Sequence, residues 1–270
     1  MIPLVVVDLD GTIVGADGQV RDCVWKAVSK LTDAGVRVAA CTGRPGFGTA
    51  RKIAERLGPN NPHVFQSGAQ ISFAEGPTLK TSALPGDALE TIIEVSRRHN
   101  AVLELYTPMA VFVERKTKLS EDHAKLIGAS AVVTDLSDVA AGEPVVRGQW
   151  VVAAGQEAKL LAALPAGVTA VTASSPALPG VAFVSLTRAG VSKASAVAYI
   201  AEHQRVPLAD VMAIGDSSGD LPMLEIVGHP RVMGNSSPEL LERYPSVGDV
   251  DECGAVTALE EALTLRVARA

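Results

Sequence analysis

The sequence near the N-terminus places two carboxylates directly after a run of β-branched residues. Residues 5–7 are three valines, the composition of a strand buried on both faces, and Asp8 and Asp10 follow them with one residue between. Two ionised carboxylates a few ångström apart repel each other, so the pair requires a metal ion, a shared proton or a basic partner. Gly11 then turns the chain away. Both acids are therefore left at the carboxyl edge of a predicted sheet, where open α/β sheets bind ligands.

The composition is that of a globular chain. Its 270 residues are 47% hydrophobic and 20% charged, enough to bury the core of one large domain or two modest ones. No apolar run approaches the roughly 20 residues of a membrane-spanning helix, and the first residues run straight into a strand without a leader sequence. The formal net charge of −6, without clustered Lys and Arg, argues against nucleic acid as a partner. We expect a soluble, cytoplasmic protein, and the composition does not indicate an oligomeric state.

The cysteines and histidines show no pattern of a metal or disulfide site. Cys23, Cys41 and Cys253 are odd in number, far apart and without C-x-x-C spacing. We predict that all three are reduced, buried small residues, with no disulfide and no zinc site. The five histidines lack metal-ligand spacing, so we interpret them as surface or core residues.

Strand and helix patterns alternate in both halves of the chain. Residues 36–41 and 211–214 are short apolar runs typical of buried strands, and each follows a segment with apolar residues at helical spacing. Residues 64–65 begin a third such strand after another helical segment. This alternation is typical of the α/β class, and we predict a doubly wound, mainly parallel Rossmann-like sheet.

The alternation changes at about residue 83, where Leu84-Pro85-Gly86 has the composition of a hinge. From there to residue 186, a helical pattern and several neighbouring strand-like segments predict a second, α+β unit. Ser192 then has the character of a helix N-cap. We therefore predict a core domain from residues 1–82 and 187–270, with an α+β cap domain inserted at 83–186.

Four groups of residues that could bind a ligand or take part in catalysis follow strand ends or begin a helix in this pattern. If the strands are parallel in one sheet, their carboxyl ends share one edge and these groups face one crevice. Carboxylates, a cation and backbone amides suit Mg²⁺ together with a phosphate ester, because Mg²⁺ takes one or two carboxylates and substrate phosphate oxygens. The features are the Asp8/Asp10 pair, Thr42 after the second strand, Lys193 at a helix start, and the Asp216/Asp220 pair after a later strand.

The same residues, in this order, resemble the motifs of the haloacid dehalogenase superfamily. The position of the insertion and the Gly-Val-Ser-Lys context of Lys193 most resemble its Cof-type phosphatases, which carry a type IIB cap. The resemblance covers nearly the whole chain. It departs at Gly219, where the family usually has Asn, and at Ser67-Gly68-Ala69, where it usually has Asn-Gly-Ala. The matching segments are Asp8-Leu9-Asp10-Gly11-Thr12, Thr42-Gly43-Arg44, Lys193, and Gly215-Asp216 to Asp220.

The resemblance implies a phosphatase that works through an aspartyl phosphate. It implies that Asp8 is the nucleophile, and that Asp10 protonates the leaving oxygen and then activates water. Thr42 and the amide of Gly43 would hold phosphate oxygens. Lys193 would offset the negative charge of Asp8 and of the phosphoryl group.

The resemblance also implies a magnesium site. Asp8, the backbone carbonyl of Asp10, and Asp216 would ligate Mg²⁺, and Asp220 would support the metal or its waters. Asn235 matches a family position near the site, and we interpret it as part of the phosphate-binding region.

We therefore predict a Mg²⁺-dependent phosphatase of a small phosphorylated metabolite, with a sugar phosphate as the leading candidate and specificity set within residues 83–186. Two alternatives stay open. One is a phosphomutase, which would return the phosphoryl group to a second hydroxyl, and the other is a non-catalytic module that binds a phosphorylated ligand. A cysteine phosphatase is disfavoured, because only Thr42 and Gly43 separate Cys41 from Arg44, too few residues to wrap a phosphate.

Overall fold

The computed structural model describes residues 1–175 and 178–265, and the chain divides into two compact units. Most of unit 2 lies, in the sequence, between parts of unit 1. The assignment of residues 1–82 and 187–270 to a core domain and of 83–186 to a cap stays a prediction. Unit 1 comprises Met1–Gly43, Lys52–Leu79 and Ser192–Ala270, and unit 2 comprises Arg44–Arg51 and Lys80–Val191.

Strands and helices alternate along the chain. The strands are β1 (Leu4–Val7), β2 (Arg37–Ala40), β3 (Pro62–Phe65), β4 (Gln70–Phe73), β5 (Thr78–Thr81), β6 (Val102–Tyr106), β7 (Val111–Val113), β8 (Val132–Val133), β9 (Arg147–Ala153), β10 (Val168–Ser175), β11 (Leu178–Arg188), β12 (Val211–Gly215) and β13 (His229–Val232). The α-helices are α1 (Asp22–Asp33), α2 (Gly48–Leu57), α3 (Gly86–Arg98), α4 (Lys118–Leu126), α5 (Leu136–Gly142), α6 (Glu157–Leu161), α7 (Lys193–His203), α8 (Leu221–Ile226), α9 (Pro238–Arg243) and α10 (Ala255–Thr264). Among these described helices, none is long and apolar enough to cross a membrane.

Unit 1 is built on a parallel sheet whose strands lie in the order β13-β12-β1-β2. β1 pairs with β12 on one side and with β2 on the other, so that Val7 lies between Ile214 and Ala40. Every residue of β1 is buried, as expected for a central parallel strand. The predicted α/β class with a mainly parallel sheet is confirmed.

Helices cover both faces of this sheet. On one face, Leu4 and Val6 pack in a continuous core with residues of α7 and α8. Val5 and Val7 alternate to the other face, where α1 contacts β2, α10 contacts β12, and the two helices contact each other. This doubly wound arrangement holds β1 rigidly, and the two acids of the opening motif follow directly from it.

The third predicted strand meets the parallel sheet through a parallel bridge and pairs antiparallel on its other side. β3 and β4 pair antiparallel in a separate sheet with the order β3-β4-β5, and a bridge between Cys41 and Val64 joins β3 to the parallel sheet. Buried His63 supports this junction, because Nδ1 accepts a hydrogen bond from the Ala40 N–H and Nε2 donates to the Gly58 carbonyl. His63 is therefore a core residue that links β2 to β3, which falls within the prediction that the histidines are surface or core residues.

Unit 2 is built on a sheet with the strand order β10-β11-β9-β6-β7-β8, antiparallel except for the β7/β8 pair. One face carries an apolar core with residues from α3, α5 and α6. Trp150 is fully buried in this core, and its Nε1 donates to the Ser96 hydroxyl at 2.7 Å. The predicted α+β character of this part of the chain is seen.

The other face of the unit 2 sheet carries a buried polar network. Oε2 of Glu104 accepts a hydrogen bond from the Tyr106 hydroxyl at 2.6 Å and pairs with Nδ1 of His123 on α4 at 2.8 Å. Gln149, which lies opposite Glu104 on β9, also contacts the His123 ring. The guanidinium of Arg147 lies over the Tyr106 ring, 4.1 Å from its centre. The network connects α4 to the sheet. Because Glu104 and His123 are buried, each would lose a hydrogen-bond partner if the other were removed, which would be unfavourable.

The structure contradicts the prediction that all three cysteines are reduced. Cys23, in the first turn of α1, forms a disulfide with Cys253, two residues before α10. The two cysteines are 230 residues apart, so no local pattern in the sequence indicates the pairing. The packing of α1 against α10 brings them together. Cys41 is buried and has a free thiol, as predicted.

We expect His63 to remain neutral far below the usual pH for histidine. Burial lowers its pKa to about 4, so between pH 6.5 and 4 the unfolded chain takes up a proton that the folded protein excludes. Stability is therefore fully present above pH 6.5 and falls as the pH drops toward 4, by about 3 kcal/mol from this group. NMR titration of the ring protons measures the pKa directly. A midpoint near 6.5, or equal pH dependence of unfolding in the wild type and His63→Gln, would contradict this prediction.

We expect Glu104→Ala to lower the free energy of unfolding by about 3–5 kcal/mol, because it leaves the Tyr106 hydroxyl and the His123 ring buried without their acceptor. Urea denaturation followed by circular dichroism measures the loss. Glu94→Ala, which removes an exposed glutamate from α3 of the same unit, is the control and should change stability by less than about 0.5 kcal/mol. Equal effects of the two substitutions would show that the network is dispensable.

Candidate active site

The carboxyl ends of neighbouring parallel strands bring the predicted residues to one edge of the unit 1 sheet. Asp8 follows β1, Asp216 follows β12, and Thr42 comes two residues after β2. The backbone ladder continues past the strand end, with the Asp8 N–H donating to the Ile214 carbonyl at 2.9 Å. Asp8 is therefore held by the sheet itself and not by a mobile loop.

Lys193 is the first residue of α7 and lies among the acids. Its Nζ atom donates to Oδ1 of Asp8 at 2.7 Å and to Oδ1 of Asp220 at 2.6 Å, and its side chain is only 8% exposed. Ser192 caps the helix, since its hydroxyl accepts a hydrogen bond from the Ser195 N–H, as the sequence predicted. A capped helix start thus directs a buried cation at two carboxylates, which compensate its charge.

Both carboxylate oxygens of Asp220 accept hydrogen bonds from other groups of the protein. Oδ1 binds Lys193, while Oδ2 accepts hydrogen bonds from the N–H groups of Asp216 and Ser217, each at 3.0 Å. A Cβ on Gly215 would lie 2.5 Å from the Cβ of Asp220, so this close approach requires glycine at the strand end. Asp220 therefore shapes the loop that presents Asp216.

Three carboxylates form a group that could hold a divalent metal ion. Oxygens of Asp8, Asp216 and Asp220 lie within 4.8 Å of one another. The Thr12 hydroxyl donates to Oδ1 of Asp216 at 3.1 Å, a contact that sequence reasoning did not assign. A Cβ on Gly11, whose φ is +75°, would lie 2.3 Å from Oδ2 of Asp216. Carboxylate oxygens suit hard cations, which matches the chemistry of this donor set.

Burial and mutual repulsion shift the titration of these groups. Burial raises the pKa of Asp8 well above its usual value, and the charge of Asp220 adds to this effect while Lys193 opposes it. Burial likewise raises the pKa of Asp216 to about 6, again with a contribution from Asp220. Burial alone would lower the pKa of Lys193, but the two carboxylates it contacts raise it well above its usual value. Three acids around one lysine leave an excess of negative charge that a cation would neutralise.

Asp10 has a different environment from Asp8. Its side chain is exposed, whereas Asp8 is 5% exposed. The chain turns at this point, because the Leu9 carbonyl accepts hydrogen bonds from the N–H groups of residues 12–14. The Asp10 side chain lies outside the three-carboxylate group found in the described part of the chain, and metal ligation by its carbonyl stays a prediction.

Thr42 and Gly43 lie beside a loop to which the sequence assigned no role. The Thr42 N–H donates to the Val64 carbonyl and its own carbonyl accepts from the Ser67 N–H, both at 3.0 Å. Gln66 and Ser67 have positive φ values of 54° and 55°. Gln66 is buried, and neither polar atom of its side chain has a hydrogen-bond partner within the residues described. The signal in the sequence was a Gln-Ser-Gly run after a buried strand, and binding of phosphate by Thr42 and Gly43 stays a prediction.

Asn235 bridges two loops. Its Nδ2 donates to the Gly11 carbonyl at 2.8 Å, and its Oδ1 accepts from the Val250 N–H at 3.0 Å. Both ends of the amide therefore hold the backbone near the acids, and its predicted contact with phosphate stays a prediction.

Comparison with known proteins agrees with this geometry. A profile of the haloacid dehalogenase-like hydrolases matches residues 5–258. An HMP-PP phosphatase of Yersinia pseudotuberculosis is 25% identical over 256 residues, which cover 94% of this chain and 91% of that protein.

Solved structures share the fold. A structure from Bacteroides thetaiotaomicron, described among phosphatases of the haloalkanoate (HAD) enzyme superfamily, superposes with a TM-score of 0.82 at 24% identity, covering 98% of this chain and 96% of its own. A sugar phosphatase of HAD subclass IIB superposes with a TM-score of 0.80 at 17% identity, covering 97% and 99%. The resemblance seen in the motifs is confirmed, and the chain belongs to the haloacid dehalogenase-like hydrolases.

Proposed function

We propose that this protein is a Mg²⁺-dependent phosphatase that hydrolyses a small phosphorylated metabolite through an aspartyl phosphate on Asp8. The observation that carries the proposal is the contact between Lys193 and Asp8 inside a group of buried carboxylates. The lysine holds one oxygen of Asp8, and its charge would also stabilise a phosphoryl group attached to the other.

The carboxylate group fits Mg²⁺ by the chemistry of its donors. Asp8 and Asp216 offer carboxylate oxygens, and the carbonyl of Asp10 would complete the protein's share of the ligands. Since both oxygens of Asp220 are engaged, we assign it to holding Lys193 and the loop of Asp216 and not to direct ligation. When bound, Mg²⁺ would neutralise phosphate charge and keep the carboxylates ionised.

In the first step, Oδ2 of Asp8 attacks phosphorus, because Lys193 engages Oδ1. The bond between phosphorus and the ester oxygen breaks, and Asp10 transfers its proton to that oxygen so that the alcohol leaves. The Thr42 hydroxyl and the Gly43 N–H hold phosphoryl oxygens during the transfer.

In the second step, Asp10 is a carboxylate and takes a proton from water. The water oxygen attacks phosphorus, the bond to Asp8 breaks, and inorganic phosphate leaves with the free Asp8 carboxylate regenerated. The exposed position of Asp10 gives it access to both the leaving alcohol and the incoming water.

Related proteins suggest which esters to test. One relative is named an HMP-PP phosphatase, and one structural neighbour is described as a sugar phosphatase. We propose sugar phosphates as the first candidates and HMP-PP as the second. Residues 83–186 are proposed to act as the cap that determines which ester is accepted.

We expect Asp8→Asn to abolish hydrolysis of every ester, because asparagine keeps the shape of the side chain but does not form the phosphoryl bond. Asp10→Asn is expected to lower kcat by about 10²–10⁴-fold, the usual contribution of a general acid–base group. Phosphate release from a panel of sugar phosphates and HMP-PP with Mg²⁺ measures both. Asp22→Asn, an exposed acid of α1, should keep wild-type activity. Equal rates in Asp8→Asn and the wild type, or an inactive wild type, would overturn the proposal.

Hydrolysis in water labelled with heavy oxygen separates a phosphatase from a phosphomutase. In a phosphatase, water attacks the aspartyl phosphate, so each released phosphate contains one labelled oxygen. A phosphomutase would return the phosphoryl group to a second hydroxyl and leave the label in the water.

We also expect Mg²⁺ affinity to fall as the pH drops below about 6. The pKa of Asp216 is raised to about 6, so below this value a proton competes with the cation for its carboxylate. Calorimetric titration of Mg²⁺ between about pH 5 and 8 measures the effect. Asp216→Asn should bind Mg²⁺ more weakly and show a smaller fall in affinity below about pH 6, since Asp8, whose pKa burial also raises, still titrates. An affinity in the wild type that does not change with pH would contradict the assignment of Asp216.

A further inference from the structure

The disulfide between Cys23 and Cys253 lies close to the segment that follows Asp10, and the proposed reaction does not use it. Residues 11–21, which we call the connecting segment, join Asp10 to α1, and Cys23 is the second residue of that helix. Cys253 ends a short turn at Val250–Glu252. Both cysteines are partly exposed, so a small reductant has access to them.

Residues 249–254, which we call the anchored loop, contact the connecting segment at further points. Nη2 of Arg21 forms an ion pair with Oδ1 of Asp251 at 3.0 Å. The same oxygen lies 2.5 Å from the position that a Cβ on Gly15 would occupy. The disulfide, which begins two residues beyond the connecting segment, therefore adds to the contacts that hold the anchored loop against it.

Asn235 extends these contacts to the acids. Its amide joins the Val250 N–H of the anchored loop to the carbonyl of Gly11, the residue after Asp10. Gly11 in turn packs against the carboxylate of Asp216, where a Cβ would lie 2.3 Å from Oδ2. Movement of the anchored loop would therefore be transmitted through the Asn235 amide to Gly11. Gly11 adjoins Asp10, the proposed general acid–base group, and contacts Asp216, a proposed metal ligand.

The disulfide joins α1, which has other contacts with α10, to a loop in which no residue from 249 to 253 is fully buried. α1 and α10 pack against each other in any case, and Lys30 pairs with Glu260 between them at 2.9 Å. In the anchored loop, by contrast, Asp251 and Glu252 are exposed, and Cys253 has a φ of 62°, in the left-handed region that disfavours residues other than glycine. The disulfide therefore adds a covalent restraint to a loop that is otherwise held by hydrogen bonds such as Val250 N–H to Asn235 and by the Arg21–Asp251 ion pair.

We propose that the Cys23–Cys253 disulfide is a positioning element for the reaction and that its reduction by a dithiol lowers turnover. A thiolate of the dithiol attacks one sulfur and the S–S bond breaks, leaving a mixed disulfide. The second thiol of the reagent then displaces the remaining cysteine. Two electrons and two protons pass from the dithiol to the protein, which ends with two thiols while the reagent ends as a disulfide. The kinetic part of this inference rests on the proposed function.

The test compares oxidised and dithiothreitol-reduced wild type by kinetics and hydrogen–deuterium exchange. On reduction we expect kcat to fall by about tenfold with KM little changed, because a small displacement of a catalytic group is costly while ester binding is untouched. Exchange should become faster at residues 11–14 and 250–254. Cys23→Ser/Cys253→Ser should behave as the reduced wild type and should not respond to dithiothreitol.

Asn235→Ala tests the route between the loop and the acids. In the oxidised protein it should reproduce the loss of kcat, and reduction should then add little, because the two changes interrupt the same connection. Cys41 should not react with an alkylating reagent in the native protein, since it is buried and burial raises the pKa of its thiol. Alkylation of the native protein should therefore label thiols only after reduction.

Exchange and thiol counts do not depend on turnover, so they test the positioning role even if the phosphatase assay fails. Three free thiols, counted after unfolding, in wild type that was first incubated in its native state with excess oxidised glutathione would overturn the inference. So would a reduced protein that loses thermal stability but keeps its kcat and its exchange at residues 11–14. Additive losses from reduction and Asn235→Ala would exclude the route through the amide.

Discussion

The arrangement of the candidate site depends on one buried cation. Lys193 at the start of α7 binds Asp8 after β1 and Asp220 after β12, so a single ammonium group joins a helix to two strand ends. A buried charge without partners is strongly unfavourable, which makes the three groups mutually dependent. Asp220 extends this dependence, because its second oxygen holds the backbone of Asp216. Removing the lysine would therefore disturb the nucleophile and the metal loop together.

Four aspartates in this site have four different environments, and environment is what distinguishes their roles. Asp8 is buried beside a lysine, Asp10 is exposed at a turn, Asp216 is partly buried with a threonine donor, and Asp220 is enclosed by donors on both oxygens. Such differences between chemically identical groups allow one to act as nucleophile and another as proton carrier. The cost of collecting like charges is offset by the lysine and, in our proposal, by Mg²⁺.

Much of unit 1 could be predicted because its signals are local. The valines of β1, the Ser192 N-cap and the alternation of strand and helix depend on backbone geometry within a few residues. The disulfide could not be predicted in this way, and the expectation of reduced cysteines was wrong for Cys23 and Cys253. Asn235 was recognised as a residue near the site, but its position between the Gly11 carbonyl and the Val250 N–H depends on two loops that meet only after folding.

The sequence by itself determined the fold class, the family and which acids, lysine and threonine stand at strand ends and a helix start. Only the tertiary structure decided which distant residues contact one another. Lys193 donates to Oδ1 of Asp8, Thr12 donates to Asp216 across 204 residues, and Cys23 forms a disulfide with Cys253 across 230 residues. The physical reason is the range of the forces involved. Periodicity and capping record steric and hydrogen-bonding preferences of neighbouring residues, whereas these contacts arise when packing of the sheet and its helices brings distant segments together.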